Sequence, residues 1–199
     1  MKRLFIVRHG ITANNAAKLI QGTRDIPLSD SGHRQARALG QALAEEKIDL
    51  IISSPQARAL QTAQAIAQHH RLPIITDERL RERSFGIFEG GPVQEYQEAR
   101  AASGLLRWHF KPDGGETILE VWERCSNFLS WLKQSDAQNV LIAAHEAVNR
   151  CLVLMTLDRP VTEWTTFKQE NCCINQFQFR ADGTIERYEL NRTGHLEAP

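Results

Sequence analysis

The amino-acid sequence predicts an α/β fold with a mostly parallel central sheet. Short apolar runs, each of the length of a buried strand, alternate along the chain with longer segments of helical composition or spacing. The apolar runs are nearly continuous, which is typical of parallel strands covered on both faces. Further along the chain, two alternating segments flank Asp182-Gly183, which indicates a β-hairpin.

Four buried strands are predicted from the apolar runs. They cover, in chain order, Lys2–Val7, Asp49–Ser53, Pro73–Thr76 and Asn139–Ala144. The two strands of the hairpin, in which apolar and polar residues alternate, are predicted over Cys173–Phe179 and Ile185–Leu190.

The segments between the strands predict five helices. Gln35–Lys47 is rich in Ala, Leu, Glu and Gln, and the capping residues Ser29–Gly32 precede it. Pro55 begins a helix that runs to about His70, because proline is tolerated in the first turn. The remaining three, of which the middle one is amphipathic, are Gln94–Ala102, Glu116–Lys133 and Ala147–Leu157.

Two regions between these elements are predicted to be irregular. Ile11–Leu28 is polar, contains glycine and proline, and predicts a loop with one helical turn. Glu78–Gly91 mixes charged, glycine and aromatic residues. We expect residues 78–115 to form a small cap over the edge of the sheet. Because no repeat or linker is visible, we expect one domain over residues 1–199.

Composition and charge argue against several classes of protein. The 199 residues contain 24 basic and 24 acidic side chains, so the net charge gives no general attraction to nucleic acid or anionic membranes. No apolar run approaches the ~20 residues of a membrane span. Arg8 and His9 interrupt the first apolar run, which makes it too short for a signal-peptide core. The four cysteines lack metal-binding spacing and predict buried, reduced thiols. We therefore expect a soluble cytoplasmic protein that binds neither nucleic acid nor membrane.

Charged and imidazole side chains follow the predicted strands where the strands end. Arg8 and His9 follow the first strand, Arg58 the second, Glu82 the third and His145 the fourth. Because ligand sites of open α/β sheets form outside the carboxyl ends of the strands, we expect these side chains to meet at one edge. Arginines can clamp a phosphate, a neutral imidazole can attack phosphorus, and a carboxylic acid can protonate the leaving oxygen.

Six short motifs extend this pattern over nearly the whole chain. They are, in order, Arg8-His9-Gly10 with Thr12 and Asn15, Gln21-Gly22 with Pro27-Leu28-Ser29, Ser53-Ser54-Pro55 with Arg58, Leu80 and Glu82 with Glu89-Gly90, Gly114-Gly115-Glu116-Thr117, and His145 with Val148 and Arg150. Together they resemble the histidine phosphatase superfamily, in its phosphoglycerate mutase-like branch 1. A lone Arg-His-Gly is weak evidence, whereas six motifs in the family's order are specific. The resemblance implies a three-layer α/β/α sandwich with a cap over the catalytic pocket.

The resemblance also implies a role for each motif residue. His9 would be the nucleophile that becomes phosphorylated, and Glu82 would be the proton donor to the leaving group. The residues implied in binding the phosphoryl group or the substrate are Arg8, Asn15, Gln21, Gly22, Arg58 and His145. Glu146 is a further candidate for substrate binding because it lies next to His145 in the chain. Arg8, Arg58 and His145 also count among the catalytic residues. The resemblance implies no metal ion and no organic cofactor.

Hydrolysis is favoured over phosphoryl transfer by comparison with the phosphoglycerate mutases of this family. Those mutases carry a longer insertion after the general acid, whereas only Arg83–Asp113 separates Glu82 from the Gly-Gly-Glu-Thr turn here. At two positions where those mutases have tyrosine and lysine, this sequence has Phe85 and Val93. We therefore expect a phosphomonoesterase for a small phosphorylated metabolite, similar to TIGAR-type fructose-2,6-bisphosphatases and to broad-specificity and α-ribazole phosphatases. The alternative is mutase-type transfer.

Two departures from the family pattern leave further alternatives open. Ile11 stands where an acidic or polar residue is usual, and Glu146 where glycine is usual. A catalytically weak phosphate-binding or scaffold relative therefore stays an alternative. Glu146 either turns toward Arg150 on its own helix or faces the pocket and selects a substrate that carries a cation. Four cations either meet a second phosphate or are exposed charges: Arg81, Arg83, Arg107 and Lys111.

Overall fold

A six-stranded mixed sheet forms the centre of the computed structural model, which describes residues 1–196. Its strands are β1 (Arg3–Arg8), β2 (Leu50–Ser53), β3 (Ile74–Thr76), β4 (Asn139–Ala144), β5 (Ile174–Phe179) and β6 (Ile185–Arg192). They lie in the order β3-β2-β4-β1-β5-β6. The first four strands pair in parallel, whereas β5 runs antiparallel to both β1 and β6. The predictions of a mostly parallel sheet and of a hairpin are confirmed.

Helices connect the strands close to the positions where the sequence predicts them. Within residues 1–196 they are α1 (Ala13–Ala16), α2 (Asp30–Leu43), α3 (Ala57–His70), α4 (Val93–Ala102), α5 (Ile118–Leu132) and α6 (Glu146–Thr156). The four-residue α1 is the single turn expected in the first loop. None of the helices in this described part of the chain combines the length and apolar character that a bilayer span requires.

The five predicted helices start one to five residues from the predicted positions, and the backbone explains the differences at α2 and α3. α2 begins at Asp30 rather than at Gln35, because the hydroxyl of Ser29 accepts a hydrogen bond from the Gly32 amide and caps the helix there. Pro55 precedes α3 instead of opening it, since the chain is still extended at the residue that follows it.

Apolar side chains cover both faces of the sheet. Along β1, Leu4 and Ile6 belong to the core cluster that α5 and α6 contribute to. Phe5 and Val7 point to the opposite face and belong to the cluster that α2 and α3 contribute to. The molecule is therefore a three-layer α/β/α sandwich, which confirms the predicted fold class.

Residues 78–115 contain two 3-10 turns, α4 and a third, smaller apolar cluster. Tyr96 of α4 and Phe110 pack there with Ile20. The buried guanidinium of Arg83 ties the cluster together: Nη1 donates to the Tyr96 hydroxyl at 2.8 Å and Nη2 to the Phe110 carbonyl at 2.9 Å. Its Nε donates to the Glu116 carbonyl at 2.8 Å, just before α5. One cation thus joins this segment to the main body of the fold.

All four cysteines are buried and unbridged: Cys125, Cys151, Cys172 and Cys173. Burial raises the pKa of the Cys173 thiol to about 11, so this thiol stays protonated at neutral pH. The prediction of buried thiols is confirmed.

Candidate active site

Three parallel strands end side by side and bring two histidines together. Arg8 at the end of β1 lies opposite Ala144 at the end of β4. The next residues, His9 and His145, have ring centroids 5.2 Å apart. β2 ends on the other side of β4, and Ser54, which follows it, hydrogen-bonds His145 at 2.8 Å.

A cavity of about 230 Å³ opens beside these strand ends. Eight residues that the sequence singled out line it: Arg8, His9, Asn15, Gln21, Gly22, Arg58, Glu82 and Glu146. The ninth, His145, is fully buried against His9. The structure therefore brings all nine together, in a space suited to a small metabolite. Among residues 1–196, no three His, Cys, Asp or Glu side chains are grouped as metal ligands.

The imidazole of His9 is held in one tautomer. Its Nδ1 lies 2.7 Å from the carbonyl oxygen of Gly10. Because a carbonyl only accepts hydrogen bonds, Nδ1 carries the proton and Nε2 carries the lone pair. Burial lowers the pKa of His9 well below its usual value, and the charges of Arg58 and Arg8 lower it further. The ring is therefore neutral at neutral pH, with a nucleophilic Nε2.

His145 is oriented by the hydroxyl of Ser54. That hydroxyl accepts a hydrogen bond from the Gln56 amide at 3.3 Å, and among residues 1–196 its own proton has no other acceptor than His145 Nε2, 2.8 Å away, so we assign Ser54 as the donor. The Nδ1 of His145 then carries the ring proton and is a donor. Burial lowers the pKa of His145 well below its usual value, with the charge of Arg58 as the next cause, so this ring is neutral as well.

Arg58 is fully buried and is fixed by backbone carbonyls. Its Nη1 donates to Arg24 at 2.8 Å and its Nη2 to Gly22 at 2.9 Å. Gly22 has a φ of +52°, which favours glycine, and a Cβ there would lie 2.1 Å from Glu89 Oε1 and would displace that side chain. Burial lowers the pKa of Arg58 to about 10, and the Glu82 carboxylate opposes this shift. The guanidinium therefore stays cationic at neutral pH.

Three buried N–H groups at this site have no acceptor within the described chain. They are Nε of Arg8, Nε of Arg58 and Nδ1 of His145. The other nitrogens of Arg8 are engaged: Nη1 donates to the Gln169 carbonyl, and Nη2 lies 3.3 Å from Glu146 Oε2. Leaving a buried donor unpaired costs about 1–3 kcal/mol. Two of these donors belong to residues that line the cavity and the third belongs to His145, which packs against His9, so together they indicate an anion with several oxygens, such as a phosphate.

Two side-chain amides add donors to the same cavity. The Thr12 backbone amide donates to Asn15 Oδ1 at 3.1 Å, and the Thr12 hydroxyl lies 2.9 Å from Gln21 Oε1. Both amide oxygens are thus satisfied on the loop side. The NH₂ groups of Asn15 and Gln21 remain available to an anion.

Glu82 sits beside the start of α6. Its Oε1 accepts from the Arg83 amide at 2.9 Å and from the Ala147 amide at 3.3 Å. Burial raises the pKa of Glu82 and the charge of Glu146 adds to the rise, while the Arg83 hydrogen bond and the charge of Arg58 oppose it. A carboxyl group with a raised pKa keeps its proton at a higher pH than usual, which suits a general acid.

The carboxylate of Glu146 contacts Arg150 on its own helix and also faces the cavity, so both alternatives from the sequence hold in part. Its Oε1 lies 3.2 Å from Arg150 Nη2, the i,i+4 pair expected along α6. Its Oε2 lies 3.3 Å from Arg8 Nη2, and the side chain also lines the cavity. With its side chain 44% exposed, the carboxylate bridges one arginine of the anion site and one arginine outside it.

The rest of the cavity wall is mostly apolar and aromatic. It is formed by Leu19, Ile20, Phe85, Val93, Tyr96, Ile118, Ala147 and Trp164. Of the four cations considered for a second phosphate, Arg83 and Arg107 line the cavity. Arg81 pairs instead with Glu78, and Lys111 with Glu120.

Several contacts at this site had no role in the sequence analysis. Ser54 lies inside a quoted motif, but its bond to His145 follows from the pairing of the strands. Gln56 donates to the Gly22 carbonyl at 3.1 Å and accepts from the Glu82 amide at 2.7 Å, so it links two sides of the cavity. Gln169 acts through its carbonyl, which leaves no side-chain signal in the sequence.

Comparison with known proteins adds a family match over most of the chain. The sequence model of the histidine phosphatase superfamily, branch 1, matches residues 4–191. The protein named "Probable phosphoglycerate mutase GpmB" of Proteus mirabilis is 32% identical over 185 residues, which are 90% of this chain and 86% of that protein.

Two phosphatases are also similar. Fructose-2,6-bisphosphatase TIGAR of Xenopus tropicalis is 40% identical over 134 residues, which are 65% of this chain and 49% of that protein. The crystal structure of phosphoserine phosphatase from Entamoeba histolytica, in complex with 3-phosphoglyceric acid, superimposes with a TM-score of 0.82. It is 29% identical and covers 98% of this chain and 100% of that one.

Proposed function

Because this chain belongs to the histidine phosphatase superfamily, branch 1, we propose that it hydrolyses the phosphomonoester of a small metabolite through a phosphohistidine at His9, without a metal ion. The family match and the phosphatase names of two similar proteins support a phosphatase-type function.

In the first step, His9 Nε2 attacks phosphorus while the ester oxygen leaves. The N–P bond forms, the P–O bond to the leaving group breaks, and Glu82 gives its proton to the departing oxygen. The phosphoryl oxygens take the free donors of Arg8, Arg58 and His145, whose fixed positions favour the charge of the transition state.

In the second step, water attacks the phosphohistidine. Glu82, now a carboxylate, accepts a proton from that water as the new O–P bond forms. The N–P bond breaks, Nε2 of His9 regains its lone pair, and inorganic phosphate leaves. Glu82 is protonated again and His9 is neutral, so both groups return to their starting states.

The observation that carries this proposal is the tautomer of His9 beside three unpaired donors. The Gly10 carbonyl takes the Nδ1 proton, so the nucleophilic Nε2 is the nitrogen left for phosphorus. The lowered pKa of His9 and the raised pKa of Glu82 give the two groups the protonation states that the first step needs. A neutral His9 together with a protonated Glu82 favours a pH optimum on the acidic side of neutrality.

The test is to trap the phosphohistidine with a radiolabelled monoester in a rapid-quench experiment. We expect label on the wild-type protein that survives base and is lost in acid, and none on His9→Ala. His109→Ala, an exposed histidine outside the cavity, is the matched control and should be labelled normally. Equal turnover by His9→Ala and wild type would overturn the mechanism, because removing a covalent nucleophile costs orders of magnitude in rate.

Two further proposals concern the segment that covers the cavity and the location of the protein in the cell. We propose that residues 78–115 act as a cap, because Arg83, Phe85, Val93, Tyr96 and Arg107 from this segment line the cavity. We propose a cytoplasmic location, which is supported by the four buried, unbridged thiols.

Mutase-type transfer is the second candidate, and the likeness to a protein named as a phosphoglycerate mutase favours it. It shares the first step and differs in the acceptor, which would be a hydroxyl of the substrate instead of water. Incubation with 3-phosphoglycerate distinguishes the two. Inorganic phosphate is expected for the hydrolase, and 2-phosphoglycerate without phosphate release for the mutase.

A further inference from the structure

Two arginines from residues 78–115 line the cavity, and they differ in whether their donors are already used. All three donor groups of Arg83 are used inside the protein, on the Tyr96 hydroxyl and on the carbonyls of Phe110 and Glu116. Arg107 also lines the cavity but makes no hydrogen bond or ion pair to any residue in 1–196. It is half-buried, so part of its guanidinium has lost water without gaining a protein acceptor.

The surroundings of Arg107 add positive charge and no counter-ion. Burial lowers the pKa of Arg107, and the charges of Arg100, Arg150 and Arg83 lower it further, while Tyr96 opposes the shift. Arg83 has only uncharged acceptors, and Arg150 is paired with Glu146. A partly desolvated cation next to other cations is unfavourable unless an anion reaches it.

We propose that Arg107 binds a second anionic group, carried by the leaving group of the substrate. This inference rests on the proposed function and narrows its substrate to a phosphomonoester whose leaving group bears a carboxylate or a second phosphate. The phosphoryl group lies at His9, the carbon skeleton packs against the apolar wall that includes Phe85 and Trp164, and the second anion meets Arg107. Arg107 is then a specificity-determining residue.

Pairs of ligands that differ only in the second anion test the proposal. 3-Phosphoglycerate and glycerol 3-phosphate differ by a carboxylate against a hydroxymethyl group, and fructose 2,6-bisphosphate and fructose 6-phosphate differ by a phosphate. We expect the wild type to prefer the doubly anionic member of at least one pair, in kcat/KM, by about tenfold or more. Arg107→Gln should remove most of that preference by weakening the doubly anionic ligand alone.

Two variants control for charge and for folding. Arg107→Lys keeps the charge without the guanidinium fork and should retain part of the preference. Lys111→Gln removes a cation from the same segment that pairs with Glu120 outside the cavity, and it should leave the preference unchanged. Circular dichroism and thermal unfolding establish that each variant is folded.

The outcome also separates a carboxylate from a second phosphate. Loss of preference only in the phosphoglycerate pair assigns a carboxylate, and loss only in the fructose pair assigns a phosphate. Equal activity of the wild type on both members of both pairs, or parallel losses on all four ligands in Arg107→Gln, would overturn the proposal.

Failure of this inference is distinguishable from failure of the proposed function. Calorimetric binding of the same four ligands to His9→Ala protein reports the preference without turnover. A preference that depends on Arg107 but comes with no phosphate release by the wild type would keep the anion site and reject the hydrolase. Phosphate release by the wild type without a preference that depends on Arg107 would keep the hydrolase and reject the second anion site.

Discussion

Neutralising Glu146 should strengthen the binding of inorganic phosphate. The Glu146 carboxylate lies 3.3 Å from Arg8 Nη2, while the neighbouring Nε of Arg8 is buried and unpaired. A phosphate that used Nε and Nη2 together would have to share Nη2 with this carboxylate. Glu146→Gln removes both the competition for Nη2 and the repulsion between the carboxylate and the phosphate dianion.

The size of the effect follows from the geometry. A dianion on the far side of the Arg8 guanidinium, about 7 Å from the carboxylate, is repelled by about 1 kcal/mol at the dielectric constant of water. The high dielectric is appropriate because the Glu146 side chain is 44% exposed. We therefore expect phosphate to bind about fivefold more tightly to Glu146→Gln at low ionic strength, with a smaller difference in 0.5 M salt, where such charges are screened over about 4 Å.

Competitive inhibition of p-nitrophenyl phosphate hydrolysis by inorganic phosphate measures this affinity. Glu163→Gln is the matched control, since Glu163 has the same i,i+4 spacing to its partner Arg159, at 3.3 Å, and does not line the cavity. It should leave the inhibition constant unchanged. An inhibition constant that stays the same or rises in Glu146→Gln would refute the reasoning, and would mean that the carboxylate holds Arg8 in its binding position.

Three further predictions concern the acid, the pH profile and the cap. Glu82→Gln should lower kcat/KM for alkyl phosphates by about 100-fold and for p-nitrophenyl phosphate by less than about tenfold, because nitrophenolate leaves without a proton; equal losses in steady-state assays would remove Glu82 from the acid role. For the wild type, kcat/KM should rise as His9 loses its proton, below the usual pKa of histidine, and fall as Glu82 loses its proton, above the usual pKa of glutamate. In Glu82→Gln the alkaline decline should therefore disappear, and its persistence would assign it to another group. Arg83→Met should lower the free energy of unfolding by about 2–4 kcal/mol in urea titrations, because three buried acceptors lose their donor, whereas Lys111→Met should change it by less than about 1 kcal/mol.

The strands were the most predictable part of the fold. Parallel strands covered on both faces leave unbroken apolar runs, and the predicted Asn139–Ala144 run coincides with β4. The order of the strands depends on contacts between distant parts of the chain and was not predicted. The start of α2 was missed because several adjacent residues can cap a helix, and only the bond from the Gly32 amide selects Ser29.

The positions of the candidate site residues were predictable for a similar reason. Side chains that follow parallel strands meet at one edge, so His9 and His145 are neighbours. The residues before them, Arg8 and Ala144, are paired in the sheet although they lie 136 positions apart in the chain. The sequence did not predict that Arg83 bonds within the protein while Arg107 stays available to a ligand. Both are arginines within residues 78–115, and only the positions of Tyr96 and Phe110 in the structure show that the donors of Arg83 are already bound within the protein.

The separate apolar cluster around Tyr96 predicts that one part of the folded protein opens more easily than the rest. Tyr96 and Phe110 belong to neither main core, whereas Leu80, earlier in the same segment, belongs to the core beside α5 and α6. We therefore expect α4 and the residues packed on Tyr96 to open as a unit while the sheet and its covering helices stay intact. Amide hydrogens of α4 should then exchange through a sub-global opening with a lower free energy than that of the β1 and β4 amides. The hydrogen bonds of Arg83 are expected to add to the free energy of that opening, and a ligand that fills the cavity is expected to slow the exchange of α4 selectively.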